Sequence, residues 1–472
     1  MMMDLTSWAP LYPELALALL IPVLLLVDLA VGRKRPVVIQ SVCLAGLVLV
    51  GWTCFAAADG AMFYDAFVMD RLARLLKIAG VLMSVVAFVY APRDLRQAGA
   101  LRGEYYLLGL FALLGVFVTA SAGSLLTLYL GLELLALALY TLVALQRDSA
   151  RAAEAAMKYF VLGAIGSGAM LYGMSLLYGL SGSLLLSETA TLAPESVGAY
   201  VAAALVLTGV AFKLGAVPFH QWVADAYDGP PLGVAVLLAT VPKLASFALI
   251  VRLLVDGISA SQEQWNLLLI VMAVASLSLG TIVAMAQTQA ARLLAWAAIA
   301  HVGFLLLGVV AGGGEGLSAA LFYTLVYVLM AAGAFGVVIA LEKQTAPLDS
   351  LRGLYRRHPG MASIMLLIML SMIGIPPLAG FLAKWQVLMV LVDQGFTALA
   401  IVAVVFAVVG AYYYLRIIRL MFMEAPREQE QERLKPGWGA SVMLGANGLA
   451  LVVIGVWPNP LLEWCRAAFG PG

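Results

Sequence analysis

The chain has 472 residues, of which 64% are hydrophobic and only 11% are charged, and its formal net charge is +1. A soluble domain is about 45–50% apolar and about 25% charged, so this composition excludes a soluble globular protein and indicates an integral membrane protein. The near-neutral charge gives no indication of nucleic-acid binding. Cys43, Cys54 and Cys465 lie far apart in apolar surroundings, which favours packing over a metal or redox role.

Hydrophobic runs long enough to cross a bilayer, which takes about 20 apolar residues per helix, follow one another along almost the whole chain. We predict fourteen spans, at residues 11–31, 37–57, 72–91, 104–121, 123–145, 154–180, 199–225, 230–256, 265–287, 292–312, 317–341, 361–392, 396–422 and 440–464. The first basic cluster, Arg33 to Arg35, follows the first run, which argues against a cleaved signal peptide. The polar insert 424–437 is predicted to be a solvated loop.

Basic residues are distributed unequally between the two sides of these spans. Loops after odd-numbered spans hold eighteen basic residues. The opposite side, helix ends included, holds five, namely Arg71, Arg74, Lys77, Arg252 and Arg466. Because basic residues accumulate in cytoplasmic loops, this asymmetry predicts that both termini lie outside.

Glycine and proline interrupt the spans at several places. Pro218 follows Lys213 in the seventh span, Pro230 and Pro231 precede the eighth, and Pro376-Pro377 stands inside the twelfth. Such breaks mark buried, hydrated cavities in a membrane, and two in corresponding halves are typical of inverted repeats. We therefore predict an all-α polytopic membrane protein with about fourteen transmembrane helices, two inverted five-helix repeats and broken helices 7 and 12. The predicted division is 1–103 for helices 1–3, 104–256 and 265–422 for the repeats, and 440–464 for the last helix.

Ionisable residues inside the spans are the candidates for function, because each costs at least about 2.5–3.5 kcal/mol to insert at mid-membrane. Glu133, Lys213 and Lys243 each lie ten to fourteen residues into a span. A rise of about 1.5 Å per residue places them near one central layer. Proton or ion movement is the chemistry that they predict, and a purely structural buried ion pair is the alternative.

Two further lysines admit a second explanation. Lys158 lies only four residues into its span with Glu154 one turn before it, so a locally paired, snorkelling lysine explains it nearly as well as a relay role. Lys384 follows the Pro376-Pro377 break, which suggests a hydrated exit cavity, with a helix-end lysine as the alternative.

His220 and His301 are the histidines inside predicted spans, and each is a candidate proton relay because histidine titrates near neutrality. A hydrogen-bonded core histidine is the alternative for both. Neither has a second ligand at metal spacing, so no metal site is predicted. The small residues around Ser167 favour close helix packing, and Tyr412 to Tyr414 are interpreted as interfacial or packing aromatics.

Six motifs resemble the N subunit of bacterial and plastid-type NADH-quinone oxidoreductase (respiratory complex I), an antiporter-like membrane subunit. They are Leu-Gly-Leu-Glu133-Leu, Met-Lys158-Tyr-Phe-Val-Leu-Gly, Phe-Lys213-Leu-Gly-Ala-Val-Pro-Phe-His220-Gln-Trp, Thr-Val-Pro-Lys243-Leu-Ala, Ala-His301-Val-Gly-Phe and Gly-Ile-Pro-Pro-Leu-Ala-Gly-Phe-Leu-Ala-Lys384. The lysine at 384 favours the N type, since the M-type subunit usually carries glutamate there. Ala224 and Trp296 to Ala298 depart from the family pattern, which leaves the charged residues intact.

The resemblance implies that Glu133, Lys213, Lys243 and Lys384 form a chain of titrating groups, with Lys158, His220 and His301 as intermediates. It implies a proton-translocating subunit of NADH:quinone oxidoreductase in a bacterial inner membrane, beside an M-type neighbour and small membrane subunits. NADH, FMN, iron–sulfur clusters and quinone would be bound by partner subunits, and this chain would hold no cofactor and no redox site. Two alternatives stay open: a subunit of a multi-subunit cation/proton antiporter, and a non-pumping membrane scaffold.

Overall fold

The computed structural model describes residues 5–31, 35–191, 196–341, 347–426 and 437–470. Helices dominate these residues because nearly every segment between the glycine- and proline-rich breaks is apolar. The α-helices are α1 Tyr12–Val31, α2 Pro36–Ala56, α3 Arg71–Gln97, α4 Gly103–Ala120, α5 Leu125–Val143, α6 Ala150–Ser181, α7 Leu186–Thr189, α8 Val197–Leu214, α9 Gln221–Asp228, α10 Leu232–Leu249, α11 Gln262–Ala286, α12 Ala290–Ala311, α13 Gly313–Ala340, α14 Leu354–Arg357, α15 Pro359–Ile373, α16 Ala379–Asp393, α17 Thr397–Phe422, α18 Trp438–Val456 and α19 Asn459–Ala467.

Shorter features also belong to the described chain, including the 3₁₀-helices Ser259–Ser261 and Leu348–Leu351. A 3₁₀-helix, Leu5–Leu11, leads into α1, and a π-helix, Ile250–Val255, continues α10. Strands β1 Gly60–Met62 and β2 Phe67–Met69 form an antiparallel hairpin in the connection between α2 and α3, with Ala61 opposite Val68.

Among the described residues, thirteen helices are long and apolar enough to cross a membrane. The predicted all-α polytopic membrane fold is therefore confirmed. The count differs from fourteen because residues predicted as the span 361–392 form two helices of fifteen residues each, α15 and α16. The predictions for Arg33, Lys34, Lys343, Arg427, Arg433 and Lys435 concern positions outside the described residues.

Helices α8 and α15 are among those that end where a glycine adopts a left-handed conformation. α8 ends at Leu214 before Gly215, whose φ is +73°, and α15 ends at Ile373 before Gly374, whose φ is +93°. A left-handed glycine is the usual C-terminal signal of a helix, and the prolines at 218 and 376 follow within three residues. Both endings therefore follow from the local sequence.

The described chain forms two compact units. The residues of the first fall within 1–88, 100–214 and 241–268, and those of the second within 89–99, 215–240 and 269–472. Inside the first unit, Phe88, Tyr105 and Tyr106 pack edge to face in the core. Inside the second, α12 and α13 are buried along nearly their whole length. The predicted division into two five-helix repeats stays a prediction.

Lys77, counted above with the basic residues of the outer side and its helix ends, is the seventh residue of α3. Its side chain is fully buried and its ammonium lies 2.6 Å from a carboxylate oxygen of Glu14 on α1, a buried acid that the sequence analysis did not single out. The Lys77 ammonium also lies 5.2 Å and 5.7 Å from the ring centroids of Phe67 and Phe117. Phe67 belongs to strand β2, so the hairpin helps to cover Lys77, which lies only six residues after the start of α3.

Arg252, within the π-helix that continues α10, is also buried. Its guanidinium donates to the Ala120 carbonyl oxygen and lies 2.7 Å from a carboxylate oxygen of Asp70 and 3.3 Å from one of Asp256. This ion-pair cluster fixes the π-helical end of α10 within the first unit.

Candidate functional site

Helix α5 carries Glu133, the ninth of its nineteen residues. The helix starts because Ser124 and Thr127 form a reciprocal cap, in which each side chain accepts a hydrogen bond from the other residue's backbone N–H at 3.2 Å. An uninterrupted apolar sequence then carries the helix to Val143, so the carboxyl group of Glu133 is held midway along a span.

Lys213 of α8 pairs with Glu133. Its ammonium lies 3.3 Å from a carboxylate oxygen, and the two side chains are 10% and 23% exposed. The hydroxyl of Ser167 on α6 donates to the same oxygen at 2.5 Å. The interpretation of Ser167 as packing alone was therefore incomplete: Gly163 lets α6 approach Tyr140 of α5 closely, and that approach brings a donor to the partly buried acid.

The break after Leu214 places a second lysine beside this pair. The ammonium of Lys243 on α10 donates to the Leu214 carbonyl oxygen at 2.6 Å, and the hydroxyl of Ser246 donates to the Lys213 carbonyl oxygen at 3.1 Å. Both carbonyls belong to the last turn of α8, which has no intrahelical donors left for them. Glu133, Lys213 and Lys243 are thus connected within the first unit.

The break after Ile373 repeats this arrangement inside the second unit. The ammonium of Lys384 on α16 donates to the carbonyl oxygens of Met372 and Ile373 at 2.8 Å and 2.9 Å, and it lies 5.1 Å from the Phe304 ring centroid. Lys384 is buried, so the alternative of a helix-end lysine in contact with solvent does not describe it.

The ammonium groups of Lys243 and Lys384 therefore each donate to backbone carbonyls at the C-terminal end of a helix. The C-terminus of a helix carries about half a negative charge, so it attracts an ammonium group without providing an acid. A neutral amine also keeps its N–H donors and can hold the same hydrogen bond. The arrangement can accommodate a lysine that gains and loses a proton.

His301 of α12 bridges two tyrosines in the second unit. Its Nδ1 lies 2.6 Å from the Tyr323 hydroxyl and its Nε2 lies 2.9 Å from the Tyr414 hydroxyl. A cavity of about 20 Å³, room for about one water molecule, is lined by His301, Lys384, Tyr413 and Tyr414 among others. The interpretation of Tyr413 and Tyr414 as packing aromatics missed this network, because Tyr414 stands 113 positions from its partner.

His220 lies in the short connection between α8 and α9. Its ring meets that of Trp296 edge to face at 5.3 Å, and its buried Nδ1 has no hydrogen-bond partner among the described residues. Arg292 on α12 pairs with Asp225 at 2.9 Å, which ties α9 to the helix that carries His301. His220 is therefore held at a break but is not in hydrogen-bond contact with the lysines.

Lys158 differs from the other candidates. It is 47% exposed on α6 and pairs with Glu154, 67% exposed, at 2.7 Å one turn earlier. The local pair expected as an alternative is therefore present. No group of three or more His, Cys, Asp or Glu side chains able to hold a metal ion lies in the described part of the chain.

Comparisons with known proteins agree with the six motifs. The family model of the transmembrane NADH:quinone oxidoreductase/Mrp antiporter proteins matches residues 122–410, more than half of the chain. NADH-quinone oxidoreductase subunit N of Thioalkalivibrio sulfidiphilus is 45% identical, and the alignment covers 99% of both chains. The chain belongs to this subunit N family.

Solved structures place the fold in the same family. A chain of respiratory complex I from Thermus thermophilus with bound aureothin is 33% identical, with a TM-score of 0.84 over 97% of this chain and 100% of that one. A chain of the Mrp complex from Dietzia sp. is 23% identical, with a TM-score of 0.82 over 99% of this chain and 97% of that one, and it shares the fold. Membership in the subunit N family, expected from the motifs, is confirmed.

Proposed function

We propose that this chain is a proton-translocating membrane subunit of NADH:quinone oxidoreductase. The observation that carries the proposal is the connected set of Glu133, Lys213 and Lys243 at the end of α8. Glu133 and Lys213 lie within hydrogen-bonding distance of each other, and Lys243 donates to the Leu214 carbonyl oxygen at the helix break beside them. Proton transfer in a membrane needs such titratable groups next to an exposed polar backbone.

The Glu133–Lys213 pair controls the charge of the lysine. While the two groups are close, the carboxylate favours the ammonium form, and separating them favours release of the proton. At an effective dielectric constant of about 20, moving a pair from about 5 Å to about 10 Å changes the attraction from about 3.3 to about 1.7 kcal/mol. Moving one charge against about 200 mV costs about 4.6 kcal/mol. One pair is therefore insufficient, and several coupled sites must act in turn.

The second unit provides those further sites. Lys384 and His301 line one water-sized cavity, and the hydroxyls of Tyr323 and Tyr414 extend the hydrogen-bonded path from the imidazole. Glu133, Lys213, Lys243 and Lys384 would form the chain of titrating groups, with His301 as an intermediate. His220 would be an intermediate for protons that enter at the break after α8. Lys158 would be an intermediate on the exposed face of α6.

Electron transfer would take place in other chains. NADH, FMN, iron–sulfur clusters and quinone would be bound by partner subunits, and this chain would contact an M-type antiporter-like neighbour and small membrane subunits. The membrane would be the bacterial inner membrane, with both termini on the outer side, as the distribution of basic residues predicts.

The test is NADH-driven proton uptake together with quinone reduction in membranes that carry Lys213→Met, with subunit abundance measured by blotting. We expect loss of coupled proton uptake at normal abundance, because methionine keeps the shape of the side chain and removes its charge. Lys213→Arg is the matched control, since it keeps a cation beside Glu133 and should retain part of the activity. Wild-type uptake in Lys213→Met would refute the relay and leave the scaffold alternative.

A cation/proton antiporter subunit is the second candidate. The carbonyl oxygens of Leu214, Met372 and Ile373 are of the ligand type that alkali cations prefer, and the Mrp chain shares the fold. Sodium or potassium efflux that continues without NADH, and that is lost in Lys213→Met, would favour this candidate over the first.

A further inference from the structure

An apolar groove of about 460 Å³ lies between the start of α4 and the end of α5, within the first unit. Leu107, Leu108 and Phe111 line it from α4, and Ala144 and Leu145 from the other side. From the first residue of α4 to Phe111 the helix rises about 12 Å, so the groove extends well into the hydrophobic layer. Its volume is in the range of about 300–1,000 Å³ that is usual for ligand sites.

Two arginines stand at the polar end of this groove. Arg102 immediately precedes α4 and Arg147 follows α5, and both line the groove. Neither guanidinium makes an ion pair with any residue of the described ranges. They belong to the loops that carry the excess of basic residues, so they are predicted to lie at the surface of the leaflet that is rich in anionic lipid.

The other polar groups near the groove restrict which anionic ligands the two arginines can bind. Glu104 also lines it, so the lining carries one net positive charge. The Thr141 hydroxyl already donates to the Leu137 carbonyl oxygen. The carboxylate of Asp28 lies against Gly103 at the α4 N-terminus, so the end of the helix is occupied by an acid of the protein itself.

We propose that this groove binds one phospholipid with a single negative charge, of the phosphatidylglycerol type. The phosphate accepts hydrogen bonds from Arg102 and Arg147, a headgroup hydroxyl donates to Glu104, and an acyl chain lies along Leu107, Leu108 and Phe111. Arginine forks match phosphate oxygens in geometry as well as charge. The single negative charge of one phosphodiester balances the net positive charge of the lining. A headgroup with hydroxyls can also donate a hydrogen bond to the Glu104 carboxylate, which would repel a phosphate without such hydroxyls.

The experiment is native mass spectrometry of the full-length chain in detergent, titrated with phosphatidylglycerol or phosphatidylcholine of the same acyl chains. We expect the wild type to bind one phosphatidylglycerol at least tenfold more tightly than phosphatidylcholine. In Arg102→Gln/Arg147→Gln the affinity should fall about thirtyfold and the preference should vanish. Arg356→Gln, an exposed arginine of the second unit, is the matched control and should behave as wild type.

A second variant tests the apolar part with both charges in place. Ala144→Phe fills the groove beside the acyl chain, so it should remove the bound phosphatidylglycerol at an unchanged melting temperature. Equal binding of the two lipids by the wild type would overturn the proposal. So would undiminished phosphatidylglycerol binding in either groove variant. The relay residues are untouched in all of them, so the result is independent of proton transport.

Discussion

Among the described residues of the first unit, two glutamate–lysine pairs inside the spans differ in how firmly they are held. Glu14 and Lys77 lie 2.6 Å apart, 9% and 0% exposed, with Phe67 and Phe117 beside the ammonium. Glu133 and Lys213 lie 3.3 Å apart, 23% and 10% exposed, and Ser167 competes for the same carboxylate oxygen. The first pair has close apolar walls, and its ammonium also donates to the Met69 thioether at 3.1 Å, whereas the second has a longer contact and a second donor to its carboxylate.

This difference separates a structural ion pair from one suited to transport. A closely enclosed pair loses much when it opens, because each charge would then be buried without compensation. A partly exposed pair with an additional donor can separate at a lower free-energy cost, because Ser167 still donates a hydrogen bond to the Glu133 carboxylate. Burial of an ionisable pair in a span is therefore not sufficient evidence of transport.

The largest effect is expected for Lys77→Met. It leaves Glu14 buried without a cation, which should destabilise the chain by about 3–5 kcal/mol and strongly reduce its abundance in membranes. The variant Glu14→Gln/Lys77→Met removes both charges and should recover most of that abundance, since a neutral buried pair carries no uncompensated charge. Blotting and melting curves measure both. Lost transport in the double variant at full abundance would show that this pair, too, takes part in transport.

Ser167→Ala should act on transport rather than abundance. A hydrogen bond to a charged group is worth about 1.5–3 kcal/mol, so its loss should slow coupled proton uptake about tenfold or more. Ser84→Ala is the control, because Ser84 is a buried serine whose hydroxyl has no hydrogen-bond partner among the described residues. Equal uptake rates in the two variants would contradict a role for Ser167 at Glu133.

Tyr414→Phe extends the comparison to the second unit. It removes the hydroxyl that is hydrogen-bonded to Nε2 of His301. Losing this hydrogen bond costs about 1 kcal/mol, which should lower the rate of proton uptake about fivefold. Tyr412→Phe is the neighbouring control, since Tyr412 is 58% exposed. A reduction of the same size in both variants would indicate a general effect on α17 instead of a relay.

Lys158→Met should have the smallest effect on stability. The Glu154–Lys158 pair on the same unit is exposed, so its contribution is about 0–1 kcal/mol. Abundance should stay at the wild-type level, and any fall in proton uptake would come from the lost charge. A loss of abundance comparable with that of Lys77→Met would contradict the ordering of the three pairs by burial.

The sequence was sufficient for the class of fold and for most of the charged candidates. Apolar runs define spans by length, and a charge in the middle of a run is visible without coordinates. The endings of α8 and α15 follow from glycine and proline signals, so the positions of Lys213 and Lys384 beside breaks were predictable.

The sequence was not sufficient for contacts that depend on distant segments. Lys77 stands six residues after the start of α3, where a lysine can normally reach the surface, and its burial arises from the β1–β2 hairpin and α1. Ser167 and Tyr414 have the same sequence environment as packing residues. Only the approach of α6 to α5 and of α17 to α12 makes them hydrogen-bond partners of Glu133 and His301.

The carbonyl groups beneath Lys243 and Lys384 have a spectroscopic consequence. A carbonyl oxygen accepts a hydrogen bond from an ammonium or from a neutral amine, so the atoms need hardly move when the proton leaves. The strength of that bond still changes, because a charged donor binds its acceptor more tightly. Isotope-labelled carbonyls at Leu214 and Met372 would therefore shift in infrared frequency with each protonation, and they would report the charge of the two lysines during turnover.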